Sequence, residues 1–172
     1  MTKEVLDCMK TAIDATRLVR ALAQRGITVG TAESCTGGLV AKLITDVAGS
    51  SSVLLGGFVT YTNEIKTCLL GVDPLIFERD TEVSHACAKA MAEGARKRLG
   101  TTLAVSLTGF AGPTGGTDKD PVGTVYIGVS SPNGTISERF TAPDPTAREA
   151  VRCAAAARAL ELLHQESMLL DK

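Results

Sequence analysis

Residues 27–49 read ITVGTAESCTGGLVAKLITDVAG. The first part, ITVGTAE, is a short β-prone run. The second, SCTGGLVAKLITDVAG, repeats apolar residues at helical spacing. The stretch therefore predicts a strand that turns into a helix, beginning at or near Ser34 and ending before Gly49. Such a junction presents backbone N–H groups that attract a phosphate or a developing oxyanion. Gly37 and Gly38 are poor first-turn residues, each costing roughly 1 kcal/mol relative to Ala. That cost makes sense where something must approach the backbone closely. The alternative is a capped helix whose glycines pack on a neighbouring strand.

Outward from this junction, strand and helix signals alternate. Val5, Leu6, Met9, Ile13, Leu18, Val19 and Leu22 recur near helical spacing, with Gly26 as a stop. GFVTYT (57–62) predicts a strand and NEIKTCLLG (63–71) a short helix with Asn63 as N-cap. Ser84 caps a longer helix that stops at Gly100, and TLAVSLTG (102–109) is a buried strand. Pro132-Asn133-Gly134 joins two β-prone runs and signals a hairpin. A last helix runs from about Pro145 to Leu170. The expectation is an α/β fold: a single layered α/β/α domain whose mixed sheet contains at least one antiparallel hairpin.

The bulk composition excludes several function classes. A chain of 172 residues with 44% hydrophobic residues is expected to fold as one domain with a sizeable core. A formal net charge of −1, 3% aromatic residues and no Trp argue against an electrostatic or stacking nucleic-acid binder. No apolar run approaches a bilayer span, and the N-terminus lacks a signal-peptide core, so the expected location is cytoplasmic. The five cysteines are odd in number and form no CxxC pair. His85 and His164 stand apart and belong to no metal-ligand pattern, so no metal and no cofactor are expected. Apolar helix faces leave room for a homo-oligomer, without a heptad seam.

Without a histidine to serve it, an activated serine needs another base. Ser34 and Cys35 are adjacent potential nucleophiles, and local chemistry slightly favours the thiol. Tyr61 ends a predicted strand and Lys66 lies in the helix that follows; a lysine held neutral can serve a serine. Residues 108–124, TGFAGPTGGTDKDPVGT, form a loop dense in Gly, Pro and Asp. It is neither a Walker loop nor a dinucleotide fingerprint. Thr108 and Thr117 offer hydroxyls, and Arg148 and Arg152, one helical turn apart, suit a phosphate or carboxylate.

These pieces in this order resemble the C-terminal domain of CinA, the nicotinamide-nucleotide amidase family. The resemblance rests on TAESCTGGLVAKLITDVAGSS, GGFVTYTNEIKTCLLGV, TGFAGPTGGTDKDPVGTVYIGV and REAVRCAAAARALELL, and covers nearly the whole chain. It implies one such domain over residues 1–172, similar to the stand-alone form of the family. It implies a small nucleotide substrate: the carboxamide of nicotinamide mononucleotide is hydrolysed to nicotinate mononucleotide and ammonia. It also implies Ser34 as nucleophile and Tyr61 and Lys66 as the groups that activate it. Cys35, Thr36, Gly37 and Gly38 would then flank the oxyanion. Thr108, Gly109, Gly112, Gly115, Gly116, Thr117 and Arg148 would hold the nucleotide. Where the family usually carries Gly-Asp before that arginine, this chain has Thr146-Ala147. That departure motivates one alternative, a pyridine-nucleotide sensor without turnover; the family's competence-linked naming motivates a second, less favoured one, an interaction module linked to DNA uptake or repair.

Overall fold

The computed structural model describes residues 15–170. Val5, Leu6, Met9 and Ile13 of the first predicted helix lie outside them; its remainder, residues 15–24, is helix α1. There follow β1 (Val29–Glu33), α2 (Leu39–Thr45), β2 (Leu54–Val59) and α3 (Asn63–Ile65), which runs into a π-helical turn, Lys66–Leu70. Next come α4 (Pro74–Arg79), α5 (His85–Leu99), β3 (Leu103–Gly109), β4 (Thr124–Ser131), β5 (Gly134–Thr141) and α6 (Arg148–Met168).

The five strands form one sheet in the order β2-β1-β3-β4-β5. β1 runs parallel to β2 and β3, whereas β3–β4 and β4–β5 are antiparallel. The mixed sheet and its hairpin therefore match the sequence expectation, with Pro132 and Asn133 as the two-residue loop and Ser131 opposite Gly134. Helices cover both faces, and the two faces are built from different residues. Large side chains at alternate positions (Val29, Val105, Leu107, Val125, Ile127, Val129) pack with α1, α2 and α6 in one core. Apart from Phe58 and Tyr126, the intervening positions are small (Gly30, Ala32, Ala104, Ser106, Gly128) and face the alanine-rich α5. A Cβ on Gly128 would lie 2.5 Å from the Ala88 carbonyl oxygen, so α5 can approach this closely only over glycine.

Boundaries depart from the sequence expectation in three places. α2 begins at Leu39, five residues later than expected, because Ser34–Gly38 form a turn with Gly37 and Gly38 at φ +62° and +95°. β2 is shifted towards the N-terminus, and Thr62, not Asn63, caps α3 through its hydroxyl. α4 went unread although its signal was local: the Asp73 carboxylate accepts from Leu75 N–H, and Pro74 opens the helix. His85, exposed at the start of α5, packs edge-on against Tyr126 at 4.7 Å and bonds the Ser137 hydroxyl. It thereby ties the start of α5 to the hairpin.

Candidate active site

The parallel half of the sheet places the carboxyl ends of β1, β2 and β3 side by side, where loops converge. A cleft of about 310 Å³ opens there, lined by Ser34 and Cys35 after β1, Tyr61 and Lys66 after β2, and Thr108 to Gly112 after β3. Glu82, Val83, Thr114 and Arg148 complete it.

Lys66 is the largest fully buried side chain among the described residues, 1% exposed. Its Nζ lies 3.5 Å from Ser34 Oγ and 3.5 Å from the Tyr61 carbonyl oxygen, both at the outer limit of a hydrogen bond. Burial lowers its pKa from the ordinary 10.5, against smaller opposing pulls from Cys87, Glu82 and Cys35. The π-helical turn that begins at Lys66 puts both Lys66 and Leu70 inside. The turn is held from α5, where Gly94 leaves room: a Cβ there would lie 2.1 Å from the Leu70 carbonyl oxygen.

Cys35 is also buried, and desolvation pushes its thiol up to about 12. A thiol so placed stays protonated at neutral pH and packs as part of the core. Desolvation thus opposes the helix-terminus effect that favours this thiol in the sequence.

The helix N-terminus behind Ser34 is not an open anion site. The Glu33 carboxylate, fully buried, accepts from the N–H groups of Gly38, Val40 and Ala41 at 2.9–3.1 Å. A strand residue thus caps the helix that follows it. Gly37 N–H donates to the Ser34 carbonyl and Gly38 N–H to the Glu33 carboxylate, so the turn amides with neither kind of acceptor among the described residues are those of Cys35 and Thr36. Arg152 fixes this turn from α6, donating to the Thr36 carbonyl oxygen at 2.7 Å while paired with Glu149.

Tyr61 is 62% exposed, and its phenol turns away from Lys66 to accept from Arg148 Nη2 at 3.2 Å. Its backbone carbonyl, not its hydroxyl, meets the lysine. Arg148 Nη1 donates to the Gly112 carbonyl oxygen at 2.6 Å, which links the start of α6 to the glycine loop. Thr108 reaches the cleft, but its hydroxyl donates to the Glu82 carbonyl oxygen at 2.7 Å.

Of the expected ligand-contacting residues, Thr36, Gly37, Gly38, Gly115, Gly116 and Thr117 do not line the cleft. The far part of the glycine loop is organised by Asp120. Its carboxylate accepts from Tyr126 and Arg139, and its amide meets the Thr117 hydroxyl. Glu82, Val83 and Ala111 were missed; nothing in the sequence marks residues 82 and 83 as reaching the end of β3. Among the described residues no cluster of three or more metal-ligating side chains exists, and no helix is long and apolar enough to cross a membrane.

The model of the CinA C-terminal domain matches residues 12–167. The chain belongs to this family. A CinA-like protein of Myxococcus xanthus is 47% identical over 149 residues, covering 86% of this chain and 35% of that protein. A second CinA-like protein, from Synechocystis, is 47% identical over 84% of this chain and 35% of its own length. The chain thus spans about a third of the length of these relatives. Among solved structures, the competence/damage inducible protein CihA of Agrobacterium tumefaciens superposes with a TM-score of 0.88 at 39% identity, covering 91% of this chain and 95% of that one. A CinA superfamily protein of Klebsiella pneumoniae gives the same TM-score at 32% identity, over 93% and 99% of the two chains. These likenesses establish the CinA-type α/β fold.

Proposed function

We propose that this CinA-family chain is a nicotinamide-nucleotide amidase working by acyl transfer. The observation that carries the proposal is the pair at the cleft floor: a buried lysine with a lowered pKa, 3.5 Å from a serine hydroxyl. Hydrogen bonds of this kind are often long before substrate arrives and shorten in the reacting complex. Ser34 Oγ attacks the carboxamide carbon as its proton passes to Lys66 Nζ. The amide of Cys35, the turn residue after Ser34 that lines the cleft, is the donor nearest the oxyanion, and a well-placed donor there is worth roughly 3 kcal/mol of barrier. Lys66 returns the proton to the departing nitrogen, ammonia leaves, and a water deprotonated by Lys66 cleaves the acyl-serine to release nicotinate mononucleotide. Tyr61 contributes its carbonyl to position Lys66 and its phenol to position Arg148. Arg148, with donors beyond the two it uses on Gly112 and Tyr61, is the group suited to the phosphate. The substrate is then a small nucleotide, and the location expected for such metabolism is cytoplasmic.

Incubation of the pure chain with nicotinamide mononucleotide, with ammonia as the readout, tests this. Turnover is expected. Ligand binding without ammonia, from correctly folded protein, would favour the sensor alternative, which the Thr146-Ala147 departure beside Arg148 motivates.

A further inference from the structure

The cleft receives opposite charges from opposite sides of the sheet. Arg148 begins α6 on one face; Glu82 sits in the turn that leads into α5 on the other. That turn is tightly held. Thr81, at φ +71°, is the only non-glycine residue with positive φ among the described residues. The Thr81 hydroxyl bonds both the amide and the carbonyl of Val83, and Ser84 donates back to the Thr81 carbonyl. Thr108 then clamps the Glu82 carbonyl from the end of β3. The backbone of Glu82 is thus held at its own carbonyl and flanked by bonded neighbours, while its carboxylate has no hydrogen-bond donor and no ion-pair partner among the described residues. A half-buried carboxylate left without a partner, facing a cleft that also holds a buried amine, is suited to a cation brought in by the ligand.

We infer that Glu82 is a specificity-determining residue: it pairs with a cationic ring while Arg148 takes the anionic end of the same ligand. The cleft then prefers a nucleotide whose ring is an N-alkylated pyridinium over the same nucleotide with a neutral, reduced ring. This rests on the amidase proposal for the identity of the ring. It adds a consequence for the chemistry. The field of Glu82 supports the charged form of Lys66. A cation seated on Glu82 cancels that field and favours the neutral amine that Ser34 requires. The product, in contrast, carries a new carboxylate into a cleft that already holds one, which favours its release.

The test compares nicotinamide mononucleotide with its dihydro form, titrated calorimetrically into Ser34→Ala protein with and without Glu82→Gln or Glu82→Asp. The expected result is a loss of about tenfold in affinity for the pyridinium form in Glu82→Gln, as for one removed opposite charge. The dihydro form should change less than about twofold, and Glu82→Asp should keep most of the preference. A merely structural role for Glu82 would weaken both ligands alike, and that outcome overturns the inference. So does an unchanged preference in Glu82→Gln while the parent chain still releases ammonia, which leaves the amidase proposal standing. Absence of both binding and ammonia release in the parent chain overturns both.

Discussion

At the scale of single residues, the adjacent Ser34 and Cys35 are buried to nearly the same extent and differ in the chemistry of their atoms and neighbours. Cys35 has the intrinsically more reactive atom, but its thiol is pushed up to about 12 and is packed in the core. Ser34 has the weaker atom and the better neighbour, Lys66. Replacing Lys66 with Met removes the proposed base, so turnover is expected to fall by about 10²–10⁴-fold, measured as ammonia release. The same substitution has a stability consequence of opposite sign. The folded pKa of Lys66 lies below its ordinary 10.5, so between those two values the unfolded chain binds the extra proton. Stability therefore rises with pH through that window, and below it the cost of the buried ammonium is present in full. Lys66→Met is expected to be more stable than the parent chain to urea at pH 7, with the gain shrinking as the pH approaches 10. For the same reason kcat of the parent should rise with pH along a limb whose midpoint lies below 10.5. A midpoint at or above the ordinary lysine value would contradict the lowered pKa.

At the scale of elements, two devices set the site, and only part of each was legible in the sequence. The strand–turn–helix order around Ser34 was readable from β-propensity and apolar spacing. The late start of α2 was not, because its cap comes from Glu33, a strand residue that precedes the turn, and capping signals are sought next to the helix. Glu33→Gln keeps the shape but turns one accepting oxygen into a donating NH2, so at least one of the three bonds is lost and the rest lose their charge, and it is expected to cost about 1–3 kcal/mol in chemical denaturation. The π-helical turn at Lys66 was likewise invisible, since periodicity over nine residues cannot separate i→i+4 from i→i+5. Gly94 shows from the other side that the turn is packed, not loose. Gly94→Ala adds helix propensity to α5 yet forces a methyl onto the Leu70 carbonyl. Net destabilisation of about 1–3 kcal/mol is expected, with loss of activity exceeding loss of folded protein because Lys66 shifts with the turn.

At the scale of the whole molecule, the alternation of strands and helices and the Pro132-Asn133-Gly134 signal carried the fold class, and the mixed sheet follows from them. Strand order was not legible, because pairing is decided by crossovers that no local pattern records. Nor was the inequality of the two faces, with bulky residues towards α6 and small ones towards α5. Of the site, the residues adjacent to strand ends (Ser34, Tyr61, Lys66, Thr108, Arg148) do meet in one cleft. The distal glycines of the loop do not, since composition cannot tell a backbone that wraps a ligand from one folded around Asp120. The central claim is that Ser34, and not the thiol beside it, attacks the carboxamide with Lys66 as its base. The most direct measurement is ammonia release from nicotinamide mononucleotide by Ser34→Ala and Cys35→Ala chains, each verified as folded, beside the parent. Ser34→Ala is expected to lose about 10³-fold or more, and Cys35→Ala to keep activity within about tenfold. Retention of turnover in Ser34→Ala together with its loss in Cys35→Ala would contradict the account.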